Sequence, residues 1–277
     1  MNYKNQRENL SAPIRNFIQR HESESTRLLL EGTGPRVTMM MPYLSGVGME
    51  VLEKFSEIHV FSGSTFAYIN YIAFEKNHYL HPLKTYYGGL DKAIRYAHNK
   101  SRFQPLYQMI KFLTGKPLYG NLPYKEIFDY AFTREFLDTP FTEVSSNLVP
   151  YIGVYGKDHP VALTKENGFE TDKITVEELL TMAMKVPFLY GRATKQDPYY
   201  DANYCRNFKT GRDQLINSEV KTLAISMWSK KPKGNTEFIH VLGDQEVPKK
   251  VFRNDIMSVV LNYPNPRYAQ DLYLTYK

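Results

Sequence analysis

A single cysteine, Cys205, stands in a chain of 277 residues, so no intrachain disulfide can form and the redox compartment is left open. Nowhere does an apolar run reach the roughly 18 residues that a membrane-spanning helix needs. The opening stretch MNYKNQRENLSAPIRNFIQRHESES is polar throughout and lacks the apolar core of a secretory signal. A cytoplasmic protein, at most peripherally associated with membranes, is the expectation. Internal repeats and long low-complexity segments are also missing, which argues against solenoids and linkers.

Tryptophan occurs once, whereas 22 Tyr and 16 Phe bring the aromatic share to 14%. That suits a thick core or an amphipathic binding surface. The net charge of +6 and a pI of about 9.1 are a modest basic excess. It favours acidic partners such as anionic headgroups or an acidic carrier protein. The lysines are scattered and not set along one face, so nucleic acid is not expected as a partner.

Residues 1–34 read as a polar arm or leading helix, with a weak amphipathic stretch through Ile14, Phe17 and Ile18. The domain is expected to occupy 35–277. It opens with a short buried strand, RVTMMM (36–41), a small-residue loop PYLSGVG and a helix MEVLEKFSE. A strand IHVFSG and a helix over 65–77 follow, a βαβα order that points to a mostly parallel sheet. Residues 78–136 are Tyr-, Phe- and Lys-rich and broken by YYGGLD and YGNLPY, as for a helical insertion capping one end of the sheet. The segments 148–156 and 159–166 read as a hairpin, TVEELLTMAMK (175–185) as a helix and KTLAISMW (221–228) as a strand. The Lys-rich SKKPKG (229–234) reads as an exposed loop.

The strand-to-helix corner IHVFSGSTFA (58–67) carries two serines around Gly63. A nucleophile elbow needs small residues two positions either side of its serine, because strand and helix backbones nearly touch there. Ser64 has Ser62 before it and bulky Phe66 after it. Ser62 has bulky Val60 before it and Ser64 after it. Strand length favours Ser64, since the strand then runs intact through Gly63 and the hydroxyl lies at a helix N-terminus, where negative charge is stabilised. On spacing alone, a Ser-Gly-Ser turn is more often a structural feature than a catalytic one.

Other signals are weaker. EGTGPR (31–36) contains G-x-G but precedes the expected first strand, the wrong context for dinucleotide binding. HYLH (78–81) spaces two histidines as for a metal but has no third ligand near, so no metal and no cofactor are expected. His59 reads as a packed strand histidine, and Cys205 as a small packed residue.

Residues 183–208, AMKVPFLYGRATKQDPYYDANYCRNF, supply a second block. A helix ends in small residues before Pro187, and an aspartate turn follows at Asp201-Ala202-Asn203, with Asn207 six residues after Asp201. With the serine corner and the order of strands, the chain resembles the patatin-like phospholipases over roughly 36–228. The segment SGSTF is closest to the cytosolic phospholipase branch, whose S-G-S-T-W uses the second serine.

The resemblance implies a three-layer α/β/α fold of the acyltransferase, acyl hydrolase and lysophospholipase type. It implies a Ser64–Asp201 dyad with no intervening histidine, Ser62 and Gly63 forming the elbow turn, and Ala202, Asn203 and Asn207 shaping the aspartate loop. The family's glycine-rich oxyanion loop is degenerate here. After the expected first strand stands PYLSGVG, with no arginine, so Leu44, Ser45 and Gly46 would donate N–H groups together with Thr65. The expected activity is a carboxylic-ester hydrolase, phospholipase- or lysophospholipase-like, that cleaves lipid or other acyl esters through an acyl-serine. Two alternatives stand beside it: acyl transfer from a thioester on a carrier protein or coenzyme A, and a catalytically dead relative that binds lipid or a partner.

Overall fold

A computed structural model describes residues 3–32, 40, 43–44, 47–78, 114, 128–129, 132–187, 191–216, 218–226 and 235–240. Among these, seven strands form one mostly parallel sheet in the order β4-β3-β2-β1-β6-β7, with β5 also paired to β3. The strands are β1 (Thr26–Leu30), β2 (Glu57–Phe61), β3 (Leu148–Val154), β4 (Val161–Ala162), β5 (Tyr199–Asp201), β6 (Lys221–Ser226) and β7 (Thr236–His240). Neighbours β3, β2, β1, β6 and β7 run parallel, and β4 and β5 lie antiparallel to β3.

The central strands bury both faces, as strands of a parallel sheet do. Alternate side chains therefore enter two cores. Leu28, Leu30, Ile58, Val60, Leu223 and Ile225 join the larger cluster, whereas Leu29, Phe61 and Ala224 join the smaller. Helices supply the rest of the larger cluster: α1 (Tyr3–Arg20) through Ile14 and Phe17, α2 (Met49–Leu52) through Val51 and Leu52, and α3 (Gly63–Glu75) through Phe66, Ile69 and Ile72. The short helices α4 (Arg134–Asp138) and α5 (Phe141–Val144) and the longer α6 (Val176–Met184) add Phe136, Phe141, Leu179 and Leu180. On the other face α7 (Phe208–Ile216) contributes Phe208, Leu215 and Ile216. Full burial of each such leucine or phenylalanine is worth about 1.5–3 kcal/mol.

Helix α6 starts where its sequence directs. Thr175 Oγ1 accepts from Glu178 N–H at 3.2 Å, and Glu178 Oε2 accepts from Thr175 N–H at 2.9 Å. This reciprocal box satisfies two donors that a helix start leaves without partners.

Two expectations about the start of the domain are corrected. The first strand is Thr26–Leu30, within the segment expected to be a polar arm, and it lies at the centre of the sheet between β2 and β6. Met40, expected in the opening strand, is helical, while 36–39 and 41 fall outside the described residues. Five residues of TRLLL flanked by polar chain give too short a run to stand out, yet pairing on both sides stabilises it. Most of the expected cap, 79–113, 115–127 and 130–131, lies outside the described residues, as does the loop 229–234. What is described places Phe128 and Phe132 against Phe66 of α3, with ring centroids 6.3 and 6.4 Å away.

Candidate active site

Ile152 of β3 pairs with Val161 of β4 and also with Asp201 of β5. A strand residue has two edges, so β5 must use the edge that β4 leaves. The same edge carries β2, whose last residue Phe61 lies opposite Tyr151. Strands β2 and β5 therefore approach each other end to end along one edge of β3, and their next groups, Ser62 and the Asp201 carboxylate, meet. Ser62 Oγ donates to Asp201 Oδ2 at 2.5 Å.

The serine at this meeting point sits in an unusual backbone conformation. Ser62 has φ 52° and ψ −128°, one of two non-glycine residues with positive φ among those described. Such a conformation costs on the order of 1–3 kcal/mol in a residue with a Cβ and persists only when its surroundings enforce it. Here the enforcing groups are the end of β2 and the first turn of α3, whose Thr65 N–H donates to Ser62 C=O at 2.9 Å. This is the geometry of a strand-to-helix elbow, with Ser64 as the small residue two positions on.

Ser64 was the expected partner of Asp201, and the structure does not bring the two together. Its side chain is fully buried. Its Oγ accepts from Phe61 N–H at 2.9 Å and lies 2.7 Å from Leu30 C=O and 2.8 Å from Phe61 C=O, within donating distance of both. The hydroxyl thus ties the end of β1 to the end of β2. Thr65, expected to donate its N–H to an oxyanion, spends that N–H on the helix turn just described.

Asp201 is 2% exposed and its N–H donates to Lys185 C=O at 3.0 Å, which fixes the strand to the end of α6. Burial pushes its carboxyl up to about 7, against the opposing effects of the Ser62 hydroxyl and the Asn203 N–H. That N–H donates to Asp201 Oδ1 at 2.9 Å, leaving Oδ2 for the serine. Ala202 is buried in the smaller core, and Asn207 N–H donates to Asp158 C=O at 2.8 Å as the chain turns into α7. Each residue expected in the aspartate loop therefore lies on this turn.

Of the expected oxyanion donors, Ser45 and Gly46 fall outside the described residues, and Leu44 is buried in the larger core. The moved first strand gives another segment this place. EGTGPR now follows β1 directly, and β1 neighbours β2. Gly32 approaches the aspartate loop so closely that an added Cβ would stand 2.2 Å from Asn203 Nδ2. Glu31 just before it is buried, accepts a hydrogen bond from Ser226 Oγ and lies 3.3 Å from the Arg212 guanidinium. Burial raises its carboxyl above the usual range. Recognising TRLLL as a strand would have revealed this glycine-bearing run.

All these groups stand at the carboxyl ends of the parallel strands. The chain moves from β1 outward through β2 to β3 and returns to β6 on the other side of β1. In open α/β sheets such a reversal opens a crevice for ligands at this end. A groove of about 640 Å³ lies at the opposite end, lined by Arg15, His21, Thr26, Lys54 and Ser56 among others, and is remote from the serine corner.

His59 is buried in β2, with Nε2 2.8 Å from Glu57 Oε2 and Nδ1 3.1 Å from Tyr151 Oη. Its pKa is lowered by burial, so it is a packed strand histidine. The described residues contain no group of three or more His, Cys, Asp or Glu able to hold a metal. His78 of the HYLH segment stacks on Phe136 at 4.9 Å. No described helix is long and apolar enough to cross a membrane.

Comparison with known protein families, with characterised proteins and with solved structures finds no match to this chain.

Proposed function

We propose that the protein is a patatin-like serine acyl hydrolase in which Ser62 is the nucleophile and Asp201 its general base. The observation that carries this is the 2.5 Å hydrogen bond from a serine held at positive φ to a buried aspartate. A serine hydroxyl needs a base to become nucleophilic, and a base works best with a pKa near the operating pH. Desolvation brings Asp201 to about 7, so no histidine is required between the two.

In the first half-reaction Asp201 takes the Ser62 proton as Oγ attacks the ester carbonyl carbon. The tetrahedral oxyanion collapses, the carbonyl–oxygen bond to the alcohol breaks, and Asp201 returns the proton to the departing alcohol. Water then attacks acyl-Ser62 with Asp201 as base, and the proton goes back to Ser62 on release of the acid. The N–H of Gly63, which follows the nucleophile at the first turn of α3, is the proposed first oxyanion donor. The glycine-bearing run from Gly32 to Arg36 takes the role of the family's oxyanion loop, since it follows the first strand and bears an arginine. An acceptor other than water would use the same acyl-Ser62.

The test is hydrolysis of p-nitrophenyl acyl esters of graded chain length. Ser62→Ala and Asp201→Asn should each lose the activity with the fold intact. Turnover unchanged in both variants would remove the dyad.

A further inference from the structure

The chain segments that flank the buried Asp201 form a surface rich in tyrosine and basic residues. The turn from β3 to β4 and the segment 191–209 lie side by side. Tyr155 N–H donates to Pro198 C=O at 2.7 Å, Asn207 N–H to Asp158 C=O at 2.8 Å, and Tyr200 Oη to Lys157 C=O at 3.5 Å. Two tyrosines project from this rim, Tyr155 at 49% and Tyr204 at 43% exposure, the latter three residues from the buried Asp201. Lys157, Arg192, Lys195, Arg206 and Lys209 are exposed on the same two segments, against two exposed aspartates, Asp158 and Asp197. Asp197 is already held by Lys185.

We infer that this rim is a docking surface for an anionic lipid bilayer, which would bring Ser62 to acyl esters held in that bilayer. The inference rests on the proposed acyl-ester chemistry for its purpose, although docking itself needs no reaction. Tyrosine suits the boundary between headgroups and acyl chains because its ring is apolar and its hydroxyl polar. Basic side chains beside it meet the negative surface potential, each contributing a roughly fivefold gain in partitioning near an anionic leaflet. Five exposed basic groups against two acidic ones leave this rim positive in itself. An acidic protein would satisfy the same cations but leaves the two exposed rings unexplained.

The test uses full-length Ser62→Ala protein, so that binding is read apart from turnover. It is sedimented with vesicles of phosphatidylcholine alone and of phosphatidylcholine mixed with phosphatidylglycerol. Binding is expected to the mixed vesicles only and to weaken with added salt. Lys157→Ala with Arg206→Ala should reduce it on the order of 30-fold. Tyr155→Ala with Tyr204→Ala should reduce it at constant charge. In the Ser62 background of the natural chain, both pairs should leave hydrolysis of a soluble short-chain ester unchanged. Equal binding to neutral vesicles, no binding to the mixed ones, or full binding by both paired variants would overturn the docking surface. Salt-sensitive binding to an acidic carrier protein in place of vesicles would overturn it in favour of a protein partner. None of these results touches the dyad, which stands or falls on ester hydrolysis.

Discussion

Ser62 Oγ donates to Asp201 Oδ2 across 2.5 Å because the strands that end at these residues share one edge of β3. The serine comes from the corner after β2 and the aspartate from the end of β5, 139 residues apart in the chain. Backbone register positions both, and flexible loops contribute little to their meeting.

The two serines of the corner should differ in their effect on activity. Ser62→Ala is expected to remove ester cleavage and to cost about 1–3 kcal/mol, since the buried Asp201 Oδ2 loses its donor. Ser62→Gly should also be inactive but more stable than Ser62→Ala by about 1 kcal/mol, because glycine accepts positive φ without strain. Ser64→Ala should destabilise by about 1–3 kcal/mol, since Phe61 N–H loses its partner in a dry site. Kinetics and thermal melts on the three variants check this. An inactive but fully stable Ser64→Ala protein would reverse the roles.

Asp201 should link pH to both rate and stability. The ordinary aspartate value is near 3.8 and the folded value about 7. As pH rises between these, the unfolded chain releases its proton and the folded chain keeps it, so folding stability falls and then levels above about 7. Activity should rise over the upper part of the same interval as the base loses its proton. Asp201→Asn is therefore expected to be inactive, more stable than the natural chain at about pH 8 by a few kcal/mol, and similar to it near pH 4. Urea melts at both pH values decide the matter.

Gly32→Ala should act on the site from the neighbouring strand. Its new Cβ would meet the Asn203 carboxamide at 2.2 Å, and Asn203 N–H fixes the Asp201 carboxylate. Reduced turnover is expected, and a second change, Asn203→Ala, should restore part of it by making room. Failure of that rescue would mean that Gly32 matters for a reason other than this contact.

Much of the frame was legible in the sequence. The corner at 58–67, the hairpin from β3 and the capped helix α6 all carry local signals strong enough to survive tertiary context. The pairing of Asp201 with Ser62, and not with Ser64, was not legible. It depends on β2 ending at Phe61 and on β5, a three-residue strand that pairing alone defines. Strand length, used as a guide, favoured Ser64, whereas the hydroxyl that reaches Asp201 stands two residues earlier, at Ser62. The misplacement of the first strand had a further effect: EGTGPR was judged to precede a strand when it follows one. Short strands between polar neighbours are fixed by their partners in the sheet, and a single sequence shows no partners.

The most direct measurement is intact mass after exposure to a long-chain fluorophosphonate, with peptide mapping of the product. A single adduct on Ser62, formed faster as pH rises through about 7 and lost in Asp201→Asn, is the expected result. An adduct on Ser64, or none on a protein shown to be folded, would contradict the Ser62–Asp201 dyad.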